Sequence, residues 1–177
     1  MGEFVKKQPS ENIADDDQRQ YLTFLLGSET FAIGILNIKE IIEYGNVTTV
    51  PMMPEFVRGV INLRGAVVPV IDLAMRFSRK PSPVTRRTCI VLIEVEADGD
   101  QYNIGVTVDA VNEVLEIPGS EIEPPPSFGA RIRSDFIGGM GKIDGKFVII
   151  LDADKVLSVD EMASLTNTDS VAITDTE

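Results

Sequence analysis

Histidine is absent from the 177 residues of this chain, and Cys89 is its single cysteine. Without histidine, neither a Ser-His-Asp nor a Cys-His nucleophile can be assembled, and zinc sites that need imidazole are excluded. One cysteine cannot close an intrachain disulfide, which agrees with a reducing compartment. We therefore predict no metal site, and no motif indicates a cofactor.

Long apolar runs are also absent, and basic residues are few. No stretch approaches the roughly 20 apolar residues of a membrane-spanning helix, and the N-terminus has no apolar stretch typical of a signal peptide. A cytoplasmic location is therefore expected. Lys and Arg total 16 against 28 Asp and Glu, which gives a net charge of −12. This acidity argues against nucleic acid as a partner and against direct contact with an anionic membrane.

The negative charge is concentrated at the two ends of the chain. Residues 1–20 have a net charge of −2, and residues 158–177 carry five acidic and no basic side chains. Both ends are also rich in small polar residues. We therefore predict a disordered N-terminal tail over residues 1–20 and an acidic tail over residues 166–177.

The middle of the chain is typical of short strands joined by turns. Residues 21–26 and 31–35 predict a hairpin with a loop of about four residues, and a second hairpin turns at Arg64-Gly65. Pro69 within that hairpin predicts an edge strand or a bulge. The capping box that begins at Ser158 predicts a closing helix over residues 158–165.

The two halves of the chain resemble each other in sequence. Ala32-Ile33-Gly34-Ile35 aligns with Asn103-Ile104-Gly105-Val106, and the stretch from Phe56 to Leu73 aligns with the stretch from Phe136 to Ala153. We predict a mostly β fold of two small barrel-like subdomains, residues 21–79 and 88–157, packed around a common core with a groove between them. Residues 79–87 are the predicted linker, and a single β-sandwich is the alternative fold.

Three motifs have possible chemical roles. The segment Gly138-Gly139-Met140-Gly141-Lys142 lacks the first glycine and the Ser or Thr of a phosphate loop, so we interpret its glycines as strand bends. Asp72 and Asp152 occupy matching positions and either cap two short helices or form a carboxylate dyad of an acid hydrolase. Cys89 begins an apolar strand, where a buried and inert thiol is expected.

Arg64 lies at the tip of a hairpin between apolar strands. The matching turn in the second half, Asp144-Gly145, has no basic residue. The repeat therefore does not account for this positive charge, which belongs either to a solvated turn or to a binding site.

Several of these segments together resemble one known family, the bacterial chemotaxis coupling protein CheW family. The resemblance spans about residues 20–165, and we take residues 21–165 as a CheW-like domain. It is carried by Tyr21-Leu22-Thr23-Phe24, Phe31 to Ile35, Ile38 to Ile41, Pro54 to Gly65, Val68 to Leu73, Gly105 to Asp109 and Phe136 to Leu151.

The resemblance implies a non-enzymatic adaptor with two five-stranded barrel subdomains. Such an adaptor joins the cytoplasmic tip of transmembrane chemoreceptors to the regulatory domain of the histidine kinase CheA. The residues at the family's receptor-binding positions are Ile35, Ile38, Glu40, Arg64, Ile90, Gly105 and Val108. The residues at its kinase-docking positions are Ile41, Thr48 and Gly59.

The residue types agree with this implied role. An apolar groove with one Arg and one Glu at its rim suits an amphipathic helix. We expect Glu40 and Arg64 to pair in the free protein and one of them to change partner on binding. Two different contact faces predict a protein that is monomeric when free and joins rings in receptor arrays, with micromolar pairwise affinities.

Overall fold

The computed structural model describes residues 20–77, 79–125 and 134–158, which form strands with a few short helices. The predicted tails and all but the first residue of the predicted closing helix lie outside these residues, except that Gln20 begins the first strand. The strands are β1 Gln20–Leu26, β2 Glu29–Gly34, β3 Ile38–Glu43, β4 Val57–Leu63, β5 Ala66–Asp72, β6 Cys89–Ala97, β7 Asp100–Val108, β8 Ala110–Glu116, β9 Ile122–Glu123, β10 Ile137–Ile143 and β11 Lys146–Leu151. The α-helices are α1 Leu73–Arg76 and α2 Ala153–Val156, and single 3-10 turns span Ile35–Asn37, Gly119–Glu121 and Ser134–Phe136.

The strands form two sheets of matching design. The first sheet has the order β8-β1-β2-β11-β10-β9 and the second has the order β3-β6-β7-β5-β4. Each sheet curls on itself. In the second sheet, Thr48 and Val60 exchange backbone hydrogen bonds of 2.8 and 2.9 Å, which joins the chain after β3 to β4. In the first sheet, β9 makes the same connection to β10.

The chain exchanges hairpins between the two halves, so the sheets do not follow the predicted subdomain boundaries. The hairpin β1-β2 joins β8 to β11, whereas the hairpin β6-β7 joins β3 to β5. A division at residues 79–87 therefore separates two sequence repeats but not two sheets. Sequence similarity identifies the repeated unit, but it carries no information on which copy a hairpin pairs with.

The strand register corrects the sequence alignment of the repeats. Val70 and Ile150 are matching residues, and they lie beside Gly105 and Ala32 in the two parallel pairings. Ala32 therefore corresponds to Gly105, two residues beyond the Asn103 with which the sequence aligned it. A shift of two residues keeps every side chain on the same face of a strand, so the hydrophobic pattern could not detect it.

The described residues form three apolar clusters. The largest lies between the two sheets and includes Phe24, Phe31, Phe77, Val106 and Phe136. A smaller cluster fills each barrel, with Ile61, Val70, Ile90 and Leu92 in the second and Ala32, Ile117, Val148 and Ile150 in the first. This arrangement confirms the prediction of two small barrels around a common core.

The hairpin turns are tight. The β1-β2 turn consists of Gly27 and Ser28 alone, so the predicted loop of four residues was too long. The turns at Arg64-Gly65, Asp98-Gly99 and Asp144-Gly145 each place both residues at positive φ. That geometry matches the right-handed twist of the flanking strands.

Pro69 lies in an inner strand, and the prediction of an edge strand was wrong. β5 runs between β7 and β4. The parallel ladder with β7 begins at Val70, one residue after the proline. The β4-β5 pairing also contains a register shift between Val57 and Gly59, so the predicted irregularity is present on the partner strand.

The glycine-rich segment is part of β10 and serves packing. A Cβ on Gly139 would approach Ile122 Cγ2 to 2.7 Å, and one on Gly141 would approach Ile117 Cδ1 to 3.0 Å. These glycines allow β10 to lie close to its neighbours inside the first barrel, and the predicted strand bend corresponds to the register shift between Ile137 and Gly139.

Candidate functional site

An ion pair between Glu40 and Arg64 lies at the rim of the second barrel. The Arg64 guanidinium donates to Glu40 Oε2. Arg64 is 71 % exposed and Glu40 33 % exposed. The predicted pairing of these two residues is confirmed. Because solvent reaches both groups, the pair contributes only about 0–1 kcal/mol to stability and can be replaced by other contacts at little cost.

The closure of the barrel brings these two residues together. Glu40 is on β3 and Arg64 follows β4, and these two strands are the opposite ends of the second sheet. The turn itself is held by Asn62, whose Oδ1 accepts from the Gly65 backbone N–H at 2.9 Å. The ion pair thus spans the seam of the barrel.

Apolar side chains lie near this seam. Ile35 and Ile38 are half-buried and pack against the central core at the point where the chain crosses from the first sheet to the second. Leu36, between them, is 70 % exposed, and Val67, beside the Arg64 turn, is 74 % exposed. Sequence analysis missed these last two residues, although a Val two residues after a tight turn could have indicated an exposed apolar side chain.

Three predicted receptor-binding residues lie inside the protein. Ile90 and Val108 are fully buried, and Gly105 is a buried residue of β7. A Cβ on Gly105 would come within 2.7 Å of Ile90 Cγ2. These residues set the spacing of β6 and β7, and in this structure they offer no side chain to a partner.

The predicted kinase-docking residues divide in the same way. Ile41 and Thr48 are exposed. Gly59 is buried, has a φ of +151°, and lies against the Thr48 carbonyl, where any side chain would overlap the backbone. Gly59 therefore supports the closure of the second barrel, while Ile41 and Thr48 remain available for contact.

Both candidate carboxylates of a dyad are helix caps. Asp72 accepts from the Met75 N–H at 3.2 Å, and Asp152 accepts from the Lys155 N–H at 3.3 Å. The capped helices touch, since Arg76 Nε donates to the Val156 carbonyl at 2.8 Å. Within the described part of the chain, no hydrogen bond or ion pair joins the two carboxylates, so they do not form a dyad.

Asp72 has a second role that Asp152 does not share. Arg58 donates to Asp72 Oδ2 from Nε at 3.1 Å and from Nη2 at 2.8 Å. The same guanidinium contacts Tyr44 and the Ser82 carbonyl, which ties residues 79–87 to the second sheet. Burial opposes the charged form, but the Tyr44 hydroxyl and the Asp72 carboxylate outweigh it and raise the pKa of Arg58.

The Cys89 thiol is half-buried. Burial and the nearby Glu43 carboxylate raise the pKa of Cys89, so the thiol remains protonated at neutral pH. This agrees with the inert thiol expected from the sequence.

Among the helices of the described residues, none has the length and hydrophobicity that crossing a bilayer requires.

Comparison with known proteins identifies the family. The model of the CheW-like domain matches residues 20–161 of this chain. The chain belongs to the CheW-like family. Members of this family are scaffold and adaptor proteins of chemotaxis and not enzymes.

Individual relatives cover most of both chains. The chemotaxis protein CheW of Klebsiella aerogenes is 34 % identical over 149 residues, which are 84 % of this chain and 87 % of the relative. Protein FrzA of Myxococcus xanthus is 30 % identical over 121 residues, 68 % of this chain and 73 % of the relative. The crystal structure of the scaffolding protein TtCheW from Thermoanaerobacter tengcongensis superimposes with a TM-score of 0.72 at 34 % identity, covering 81 % of this chain and 90 % of that one.

Proposed function

We propose that this protein is a cytoplasmic adaptor that couples transmembrane chemoreceptors to the histidine kinase CheA. The observation that carries the proposal is the exposed Glu40–Arg64 pair at the seam of the second barrel, beside half-buried and exposed apolar side chains. Family membership supports the adaptor class, and the site supports a helical partner. In this proposal the protein reaches the membrane only through its receptors.

The receptor tip contacts the seam of the second barrel. Ile35, Leu36, Ile38 and Val67 provide apolar area for one face of an amphipathic helix. Glu40 and Arg64 fix the register of that helix, and one of the two exchanges its partner for a receptor side chain. The strands that carry this surface are held in place by the buried residues Ile90, Gly105 and Val108.

CheA docks through a different face, which includes Ile41 and Thr48. The regulatory domain of CheA is the expected partner there. Two unlike faces produce head-to-tail contacts, which close into rings when the rotation between neighbours allows it. Each contact can then be weak, because a ring engages many of them at once.

The proposal is tested by titrating a receptor cytoplasmic fragment and the CheA regulatory domain separately into wild type, Arg64→Ala and Glu40→Ala. Wild type should bind each partner with micromolar affinity. Arg64→Ala should lose about tenfold or more in receptor affinity, equivalent to about 1.4 kcal/mol, and should keep its kinase affinity. Lys142→Ala, an exposed residue of β10, is the control and should change neither.

A double-mutant cycle tests the exchange of partners. If Glu40 and Arg64 share one contact with the receptor helix, the losses from Glu40→Ala and Arg64→Ala are not additive. Additive losses would contradict the exchange. Failure of wild type to bind either partner would contradict the coupling function itself.

A further inference from the structure

A cleft lies where residues 83–87 pass the end of β1 and the start of β8. It has a volume of about 610 Å³. Leu25, Pro83 and Ala110 contribute apolar surface, and Arg86, Arg87 and Asp109 contribute charge. The cleft therefore combines an apolar floor with a basic rim.

The basic residues of this cleft form no ion pair with an acidic residue of the described structure, although Asp109 lines the same cleft. Arg86 and Arg87 are exposed, and no ion pair joins either of them, or Lys80, to another described residue. Arg79 differs, because it pairs with Glu29 at 2.5 Å. In a chain with a net charge of −12, unpaired cations grouped in one segment are an evident place for an anionic segment to bind.

The segment that carries these arginines is held in one conformation. The Thr85 N–H donates to Thr88 Oγ1 at 2.8 Å, and the Arg87 N–H donates to Thr85 Oγ1 at 3.1 Å. The Ser82 carbonyl is bound by Arg58. A ligand therefore meets a preformed surface and does not have to order the loop.

Asp109 adds an unused acceptor at the same cleft. Its Oδ2 accepts from the Gly27 N–H at 2.6 Å, whereas its Oδ1 is buried and has no hydrogen-bond partner among the described residues. A ligand that fits this cleft would thus carry acidic groups for Arg86 and Arg87 and also a hydroxyl or N–H donor for Asp109.

We propose that residues 169–177 of this same chain dock in the cleft. The segment combines acidic, apolar and hydroxyl side chains, namely Asp169, Ser170, Val171, Ile173, Thr174, Asp175, Thr176 and Glu177. Its carboxylates match the arginine rim, its Val and Ile match the apolar floor, and its hydroxyls supply donors for Asp109. Residues 158–177 contain no basic side chain that would oppose this binding.

The chain leaves the described fold within reach of the segment that it would bind. The Val156 carbonyl accepts from Arg76 Nε, and Arg76 lies ten residues before Arg86. Ten residues span at most about 36 Å. The fifteen residues from Val156 to Val171 reach about 50 Å when extended, and about 38 Å with the predicted helix over residues 158–165. The segment therefore reaches the cleft without any change in the fold, at a high effective concentration.

Docking of this segment would cover the arginine pair until an acidic partner displaced it. The interaction is mainly between exposed charges, so it weakens as salt is added. The interaction involves neither Glu40 nor Arg64, so it can be tested independently of receptor binding.

Paramagnetic relaxation enhancement on the full chain tests the proposal. A nitroxide is attached at Ser170→Cys in a Cys89→Ser background, and the amide signals of the ¹⁵N-labelled protein are recorded. Signals of residues 25–27, 84–87 and 109–110 should lose intensity. The loss should disappear in about 1 M salt, where the Debye length is about 3 Å.

Two double charge-reversal variants distinguish binding at the cleft from general electrostatic attraction. Arg86→Glu with Arg87→Glu should abolish the intensity loss at the cleft. Lys142→Glu with Lys146→Glu changes the net charge equally on the exposed β10-β11 hairpin and should leave the loss in place. The thermal unfolding of each variant shows whether its fold is retained, and Arg87→Gln alone replaces the double reversal if that variant unfolds.

Three results would overturn the proposal. The first is the absence of signal loss at the cleft or a loss centred elsewhere. The second is a signal loss in a mixture of ¹⁴N protein that carries the nitroxide and ¹⁵N protein that carries none, because the occupant would then be a second copy. The third is a loss at the cleft from a label at Ser10→Cys but none from the label at Ser170→Cys, because the N-terminal segment would then be the occupant.

Discussion

Arg64 has a φ of +51°, a backbone conformation that its side chain does not favour. A non-glycine residue in the left-handed region costs about 1–3 kcal/mol, and Asn or Asp tolerate it better than Arg. Asp144, in the matching turn, has almost the same φ and a more suitable side chain. The strain at Arg64 therefore supports a contact role for its guanidinium.

We expect Arg64→Asn to keep the free energy of unfolding within about 1 kcal/mol of wild type, because relief of backbone strain offsets the lost exposed ion pair. Receptor affinity should fall in the same variant. Chemical denaturation and the receptor titration provide the two measurements. Asp144→Arg, in the matching turn, is the control and should lower stability. A loss above about 2 kcal/mol in Arg64→Asn would mean that Arg64 serves the fold and not a partner.

At the scale of single residues, the sequence predicted the charged pair but not the accessible apolar surface. Arg64 was recognised because the matching turn of the repeat has no basic residue, and Glu40 was assigned by its position in the family. Ile90 and Val108 were assigned to the groove by family position, which does not indicate whether a side chain faces inward or outward. Ile90 packs inside the second barrel and Val108 packs in the cluster between the two sheets, so neither side chain reaches the surface.

At the scale of the elements, α1 and α2 are two copies of one capped helix in different surroundings. Asp72 both caps α1 and binds Arg58, and its side chain is only 2 % exposed. Asp152 caps α2, and the residue that matches Arg58 is Gly138. The repeat thus supplies an internal control for the contribution of the Arg58–Asp72 pair.

Asp152→Ala should lower the free energy of unfolding by about 1 kcal/mol, and Asp72→Ala by about 3 kcal/mol, because only the second leaves a half-buried guanidinium without its carboxylate. Replacing both partners, in Asp72→Ala with Arg58→Met, should recover part of the loss. Urea unfolding curves measure all three values. Equal losses for the two Asp variants would show that the ion pair adds nothing to the cap.

The contact between β6 and β7 depends on the absence of a side chain at Gly105. Gly105→Ala should cost about 1–3 kcal/mol, because its Cβ would overlap Ile90 Cγ2. In an Ile90→Ala background the added cost should fall, with a coupling energy of at least about 1 kcal/mol. Gly45→Ala is the control, since open space surrounds that residue. Additive losses of stability in this cycle would contradict the predicted overlap between residue 105 and Ile90.

At the scale of the whole molecule, the exchanged hairpins make the two halves interdependent. Local patterns predicted the hairpins, because a strand–turn–strand signal is contained within about fifteen residues. The pairings of β2 with β11 and of β5 with β7 join distant segments, and no local pattern encodes them. The sequence therefore predicted the main hairpins and the existence of the repeat, but it aligned one pair of hairpins two residues out of register and assigned those hairpins to the wrong sheets.

Cleavage of the chain between residues 79 and 87 tests this interdependence. Residues 1–79 and 88–177, produced separately, should each lack cooperative unfolding, because each sheet needs strands from both. Mixed together, they should recover the far-UV circular dichroism spectrum and the thermal transition of the intact chain. Cooperative folding of either fragment alone would contradict the interdependence of the halves.

The parallel pairing of β2 with β11 also determines how the fold could be attached to other chains. Tyr21 lies opposite Gly34 on one side of β2, and Ile150 lies beside Ala32 on the other. The start of β1 and the end of β11 are thus about two strand spacings apart, or about 10 Å, and α2 follows β11. A host polypeptide could therefore carry this fold as an insertion between two nearby points of its own chain.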